Sequence, residues 1–361
     1  MKRLTGFWGC VAGLVLAASP ATGESSVAAA GSAAGEGSVP GVAELVDGFK
    51  ETAFAVQNLE GAITLYTEVA GWEVMHRGRA DASVARFWRL PEDQVIEEAL
   101  LRNPGTTEGY LRLVRFPGSP PKLIRPGAQS WDTGGIFDVN VRVLDIHARL
   151  ADLRRHGWRA YSEPVEFSFG PFVVREVLAL GPDGLVLAMI ERVQPPLEGW
   201  PNLRRMSRIF NATQVVRDFE TSFAFYTETL GFKPYLEHEG ASKAAGPNVL
   251  GLPHNLTTEI PRKVAILSPQ GDNFGSIEIL SFDGATGDDF AERAVPPHLG
   301  HLLMRFPVTD LDAYLALLKS RGVEPVSGPS TVDIAPYGQV PAFAIQAPEG
   351  AWLEFIQLPV D

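Results

Sequence analysis

Apolar residues recur along the chain in two alternating rhythms, short strand-like runs and stretches with apolar side chains at helical spacing. The run Ala53 to Val56 passes through a polar turn at 57–60 into a helical stretch ending LYTEVAGW at 65–72. The run Ala212 to Val216 passes through a polar turn at 217–220 into a stretch ending FYTETLGF at 225–232. The copies register at a spacing of 160 residues, with Tyr66 over Tyr226, Glu68 over Glu228 and Gly71 over Gly231. Each glycine reads as a helix stop, because the left-handed C-cap costs glycine least.

A second pair repeats at a spacing of 165 residues. Residues 138–158 match 303–323, with Asp145 over Asp310 and Gly157 over Gly322. Short β-rich runs follow, and each copy closes with a Pro-acid-Gly turn and a strand, at 181–191 and 347–357. The pattern predicts an α+β fold of four βαβββ modules. One such module covers only one face of its sheet and is marginal alone, so modules should pair as curved, mixed sheets around cavities. The Pro-rich stretch 195–207 reads as a linker, which puts one domain at 46–194 and a second at 208–361. Pairings across that linker are the alternative.

The ends change the picture. Lys2 and Arg3, an apolar stretch and small residues before Glu24 have the layout of a secretory signal peptide over 1–23. Residues 24–45, rich in Ala, Gly and Ser, read as a flexible tether. The expected product is an exported protein, periplasmic or secreted from a bacterium, with no stable membrane insertion once the signal is cleaved. Cys10 is the sole cysteine and leaves with the signal, which excludes thiol catalysis, disulfides and thiolate zinc sites from the mature chain. Loss of Lys2 and Arg3 takes the formal charge from −12 to −14, a balance that disfavours nucleic acid as a partner. No GxSxG elbow, phosphate-cradling GxxxxGK[ST] loop or HExxH helix is present.

The FYTETLGF helix end and the PDG or PEG turn before each closing strand resemble the vicinal oxygen chelate superfamily of glyoxalase I, extradiol dioxygenases and bleomycin-binding proteins. The resemblance covers nearly all of the mature chain and implies the fold; for activity it is permissive, because the superfamily hosts lyases, isomerases, dioxygenases and metal-free binders. It also implies where metal ligands would stand, one on the first strand and one on the last strand of each module. In the first domain these positions carry Glu51, Arg112, Asp138 and Ala188, a degenerate set in which the arginine repels a cation. In the second they carry Asn211, Glu278, Leu303 and Glu354.

Leu303 cannot bind a metal, but His301 lies two residues earlier, and a bulge near Pro307 would bring it to the site. The expected site is therefore Glu278, His301 and Glu354, with Asn211 as a weak fourth contact and an open position. Such ligands suit Fe(II), Mn, Zn or Ni better than Cu(I). Tyr337, in the fourth module's loop, is a candidate to polarise a substrate oxygen or, equally, a packing residue. Two functions follow: a divalent-metal enzyme of lyase, isomerase or dioxygenase type acting on a small oxygenated molecule, or a metal-free protein that sequesters a small molecule, with Phe54, Phe137, Leu303 and Phe306 as cavity or core residues. With four modules in one chain, a monomer or weak dimer is expected.

Overall fold

The structure, a computed structural model, describes residues 42–169 and 171–359. The expected signal peptide and all but the end of the expected tether lie outside the described residues. That end is not a tether: Val42–Leu45 form a helical turn, α1, and Leu45 is buried. Module one is β1 (Glu51–Ala55), α2 (Leu59–Leu65), β2 (Glu73–Arg79), α3 (Ala82–Phe87), β3 (Glu97–Arg102) and β4 (Tyr110–Arg115). Module two is β5 (Asp138–Val143), α4 (Ile146–Arg155), β6 (Arg159–Ala160), β7 (Val165–Phe169), β8 (Phe172–Leu180) and β9 (Val186–Gln194).

Module three is β10 (Met206–Val215), α5 (Phe219–Ala224), β11 (Lys233–Gly240), β12 (Arg262–Ser268) and β13 (Ser276–Phe282). Module four is β14 (Gly300–Val308), α6 (Leu311–Ser320), β15 (Ser327–Ile334), β16 (Gly338–Gln346) and β17 (Trp352–Gln357). The repeat is thus one local device used four times. Each main helix begins where an Asn or Asp side chain accepts a backbone N–H, Asn58 from Gly61, Asp145 from Ala148, Asp218 from Thr221 and Asp310 from Ala313. Each helical stretch is followed by a glycine at positive φ, Gly71, Gly157, Gly231 and Gly322, at 76°, 82°, 78° and 84°.

The expected division into 46–194 and 208–361 does not describe how the sheets form. One sheet runs β15-β16-β17-β14-β1-β4-β3-β2 and joins module four to module one; the other, β11-β12-β13-β10-β5-β9-β8-β6, joins module three to module two. The reason is the first strand of each module, whose inner edge, away from the module's other strands, is free to pair. Strand β1 lies antiparallel to β14 with Glu51 opposite Arg305, and β5 lies antiparallel to β10 with Asp138 opposite Thr213. The 195–207 linker therefore joins two modules of one sheet, while 116–137 crosses from one sheet to the other.

One face of both sheets and the apolar sides of the helices meet in a single core that draws residues from all four modules. The opposite faces open into two cups with separate apolar clusters. The first cup, of modules one and four, is plugged by α3 through Val84, Ala85, Phe87 and Trp88. The second, of modules two and three, is covered by the 249–260 segment through Val249, Leu250, Leu252 and Ile260.

Phe306 ties the shared core together, with ring centroids 6.2 Å from Phe49, 5.8 Å from Phe232 and 5.5 Å from Phe355, residues of modules three and four and the segment before β1. Phe306→Ala should lower stability by about 3–5 kcal/mol, read from the urea midpoint. A loss under about 1 kcal/mol would contradict a shared core.

Candidate functional site

Pairing of the modules regroups the positions that the sequence resemblance marked for metal ligands. The first cup receives Glu51, Arg112, Leu303 and Glu354; the second receives Asp138, Ala188, Asn211 and Glu278. The expected ligand set is therefore divided: Glu278 and Asn211 stand in one sheet, His301 and Glu354 in the other.

In the first cup two guanidinium groups lie among carboxylates. Arg112 donates from Nε to Glu51 Oε1 at 2.7 Å and from Nη1 to Glu98 Oε2 at 2.8 Å. Arg305 donates from Nε to Glu354 Oε2 at 2.7 Å and from Nη1 to Glu51 Oε1. Trp88 Nε1 donates to Glu354 Oε1 at 2.6 Å, and Tyr337 donates its hydroxyl proton to Glu51 Oε2 at 2.7 Å. Glu51, Glu98, Arg112, Arg305 and Glu354 are all buried, so each charge depends on these partners. Burial raises the Glu51 pKa, but Arg112 and Arg305 outweigh it and hold the carboxyl at about 2. These residues do not fit a metal, because arginine supplies the positive charge that a cation would bring. Tyr337, proposed from sequence for catalysis, is a member of this locked network; burial and the neighbouring Glu51 push its hydroxyl well above the usual range.

His301 stands at the junction of the two sheets. A register shift in β1–β14 separates the pairs Ala53–Leu303 and Phe54–His301, so the two residues face opposite ways. Leu303 joins the first cup's apolar cluster, while the His301 ring meets Phe54 edge-on at 4.5 Å. Its Nε2 accepts the Val186 N–H at 2.9 Å, and burial lowers its pKa to about 3, so it is a neutral buried imidazole. The expected bulge near Pro307 is not where the strand is irregular: Pro307 pairs in register with Ile356, and the shift lies between His301 and Leu303, where it turns the histidine away from the site.

In the second cup burial outweighs the cations: Arg125 lowers the Asp138 pKa and Arg142 that of Glu176, yet both carboxyls end above the ordinary range. Asp138 on β5 and Glu278 on β13 both lie opposite Thr213 of β10, one on each side. One step along, Asn211 lies opposite Asn140 and Ser276; Asn140 Nδ2 donates to Asn211 Oδ1 at 2.8 Å, and Asn211 Nδ2 to Ser276 Oγ at 2.9 Å. A third carboxyl, Glu176, comes from β8. Neither Glu176 oxygen has a hydrogen-bond partner, nor does Glu278 Oε2. Burial, with Asp138 adding, pushes Glu278 up to about 8; burial pushes Asp138 up to about 7 against the Thr213 hydrogen bond. Glu176 is raised well above the carboxylate range by burial and then by Glu278 and Asp138.

The donor chemistry here fits a hard divalent ion, since Asp138, Glu278 and the Asn211 amide offer oxygen and Glu278 Oε2 is buried without a partner. Ala188 offers nothing, and among the described residues no three of His, Cys, Asp and Glu converge as a metal group. A groove of about 900 Å³ opens at the mouth of this cup, lined by Tyr161, Val165, Phe167, Gly246, Leu252 and His254 among others. Val165 lies opposite Glu176 in the β7–β8 pair, so the groove opens over the face that carries the third carboxyl.

Residues 208–355 match the family model of the Glyoxalase/Bleomycin resistance protein/Dioxygenase superfamily. The matched stretch is modules three and four, which contribute to different cups. No curated protein sequence matches the chain. Among solved structures it is similar to glyoxalase I from Zea mays, at 16% identity and a TM-score of 0.56 over 86% of this chain and 92% of that one. It is also similar to a putative dioxygenase from Bacillus subtilis, at 10% identity and a TM-score of 0.52 over 88% and 87%. At these identities the likeness is one of fold. It agrees with four βαβββ modules around two cups.

Two outcomes follow for stability. Arg305→Met leaves Glu51 and Glu354 buried with fewer partners and should cost about 3–5 kcal/mol in urea unfolding; a neutral effect would mean the network carries no stability. The cups should also respond oppositely to pH in the presence of a chelator. Glu51, held at about 2 against an ordinary 4.5, contributes stability that is full above the ordinary value and is lost as pH falls towards 2. Glu278, held at about 8 and Asp138 at about 7, keep protons that the unfolded chain sheds, so stability falls as pH rises from the ordinary carboxylate range to about 8. Glu278→Gln should flatten that second decline in a series of melting temperatures; an unchanged slope contradicts it.

Proposed function

We propose that this is an exported glyoxalase-fold enzyme whose working centre is the second cup, where a divalent cation assists a reaction of a small oxygenated molecule, of lyase, isomerase or dioxygenase type. The observation that carries the reading is the buried acidity of that cup: Asp138 and Glu278 flank Thr213, and Glu278 Oε2 is buried without a partner. Asp138, Glu278 and the Asn211 oxygen would hold the ion, which as a Lewis acid would stabilise negative charge developing on vicinal oxygens of the substrate. The chain's own residues supply orientation and exclusion of water. Asn140 fixes Asn211 and approaches Thr213 Oγ1 at 3.1 Å, and the segment carrying Leu250 and Leu252 covers the cup. Glu278, with a pKa raised to about 8, could hold or release a proton near neutrality when it does not hold the ion.

A metal-free binding protein is the second reading, favoured by Ala188 at a ligand position and by the large groove beside the cup. Elemental analysis of protein purified without chelator or metal-affinity resin separates the two. The enzyme reading expects about one divalent ion per chain. Asp138→Asn with Glu278→Gln should remove it, and Glu354→Gln, in the first cup, should leave it. Absence of metal from the wild type, with no rise in melting temperature on adding Mn²⁺, would favour the binder. Export has its own check. Intact mass and N-terminal sequencing of the protein recovered outside the cytoplasm should give a chain starting near residue 24, and a product that keeps Met1 contradicts cleavage.

A further inference from the structure

Where the 116–137 crossover runs against module two it closes over a cavity of about 190 Å³. The walls come from residues 123–128, from Arg159 of β6 with Tyr161 after it, from the turn at 180–186, and from Phe137. This lining shares no residue with the Asp138, Asn211 and Glu278 group of the second cup. At roughly 30 Å³ per water molecule, the space suits a molecule of about six heavy atoms. Part of the wall is apolar, through Leu123, Phe137, Leu180 and Val186.

Two guanidinium groups share this lining. Arg125 is only 5% exposed and lies over the rings of Phe137, at 5.2 Å, and Phe290, at 5.7 Å. Its Nη1 donates to Gly134 O at 2.6 Å and its Nη2 to Asp132 O at 2.7 Å. These carbonyls fix the plane and take two of the five N–H donors, but they bring no negative charge. The Asp132 carboxylate is turned elsewhere and accepts the Gln129 and Asp288 N–H groups. Burial lowers the Arg125 pKa to about 10, against the opposing pull of Tyr161, Asp132, Asp138 and Asp289. Arg159, exposed on β6 opposite Leu180, is the second cation. The Tyr161 hydroxyl donates to Ala128 O at 3.0 Å; burial pushes its pKa up to about 12, and the charges that oppose the rise are Arg125 and then Arg159. The phenol oxygen thus stands within the field of both guanidinium groups. Asp183 is the carboxyl on the wall, and its Oδ2 accepts the Gln57 N–H at 2.9 Å. Burial raises its pKa and only that backbone hydrogen bond opposes the rise, so neither arginine is spent on it. Two cations against one carboxyl leave the lining with one positive charge in excess.

We infer that this cavity is a binding site for a small organic monoanion, a short-chain carboxylate whose charged end meets Arg125 and Arg159 and whose carbon body lies against Phe137, Leu180 and Val186. Guanidinium groups match the planar, two-oxygen geometry of a carboxylate. The single excess charge of the lining is balanced by a monoanion and over-balanced by a phosphate dianion, and the apolar wall favours a carbon body over a bare inorganic ion. The site goes beyond the cation reading of the second cup and stands whether or not a cation binds there. It also differs from the arginine cluster of the first cup, where both guanidinium groups are spent on Glu51, Glu98 and Glu354.

The test is calorimetry and thermal shift on the purified protein with acetate, propionate and lactate, set against acetamide, propionamide and lactamide and against inorganic phosphate. A chelator is kept present, so that a cation in the second cup takes no part in the readout. At least one carboxylate should bind with a dissociation constant of about 1 mM or tighter and raise the melting temperature, and its amide should not. Arg159→Glu, at an exposed position that leaves the core intact, should weaken that binding roughly 10–100-fold, and Arg159→Lys should keep part of it. Arg155→Gln, which removes an exposed arginine of α4 outside the cavity, should leave it unchanged. No binding by any of the three carboxylates, equal binding of the amides, unaltered affinity in Arg159→Glu, or an equal loss in Arg155→Gln overturns the inference. Phosphate binding tighter than every carboxylate overturns the assignment of a monoanion.

Discussion

Everything in this molecule depends on one set of hydrogen bonds, the antiparallel pairing of first strands, β1 with β14 and β5 with β10. A βαβββ module buries one face of its sheet under its own helix and leaves both its inner edge and its concave face open. Pairing inner edge to inner edge closes the ladder and brings the concave faces of two modules into one cup. Which modules pair then decides which side chains meet. Because modules one and four pair, Arg112 and Arg305 are placed among Glu51, Glu98 and Glu354. Because two and three pair, Asp138, Glu176 and Glu278 share a cup with no cation between them that forms a hydrogen bond to Glu176.

The two cups are alternative solutions to burying carboxylates. In the first, guanidinium groups satisfy them, the Glu51 carboxyl is held at about 2 and α3 plugs the cup with Trp88 reaching Glu354. A network of this kind specifies a packing and offers no open coordination position. In the second, burial pushes Asp138 up to about 7, and burial with the Asp138 charge pushes Glu278 up to about 8, an arrangement that costs stability unless something else is bound. The asymmetry follows from a few positions on otherwise repeated modules.

Much of the fold was legible because it is written locally. The Asn or Asp cap and the terminal glycine act within a few residues of chain and appear at the expected place in all four modules, and the Pro-acid-Gly turn does so in modules two and four. The asymmetry between an arginine-bearing centre and a carboxylate-bearing one was also legible, from Arg112 and Glu278. Module pairing was not, since it depends on which strand edges meet, and a linker such as 195–207 is compatible with either partner. That single unknown misdirected the ligand set by joining Glu278 to Glu354. His301 failed for a finer reason: the irregularity lies between residues 301 and 303 and not near Pro307, and the ring is held by Phe54 and the Val186 N–H, both distant in sequence. Arg305, Glu98 and Glu176 were missed because strand charges carry no local signal of which face they take until the register is known. Had the repeat been extended one step beyond each ligand position, Arg305 next to Leu303 would have been the visible warning.

The central claim, that pairing across the linker makes one arginine-locked cup and one acidic cation site, is tested most directly by anomalous diffraction from crystals soaked in Mn²⁺. The account predicts a single strong peak between Asp138 and Glu278 and none near Glu51 and Glu354. A peak in the first cup, or one that joins Glu278 to Glu354, would contradict it.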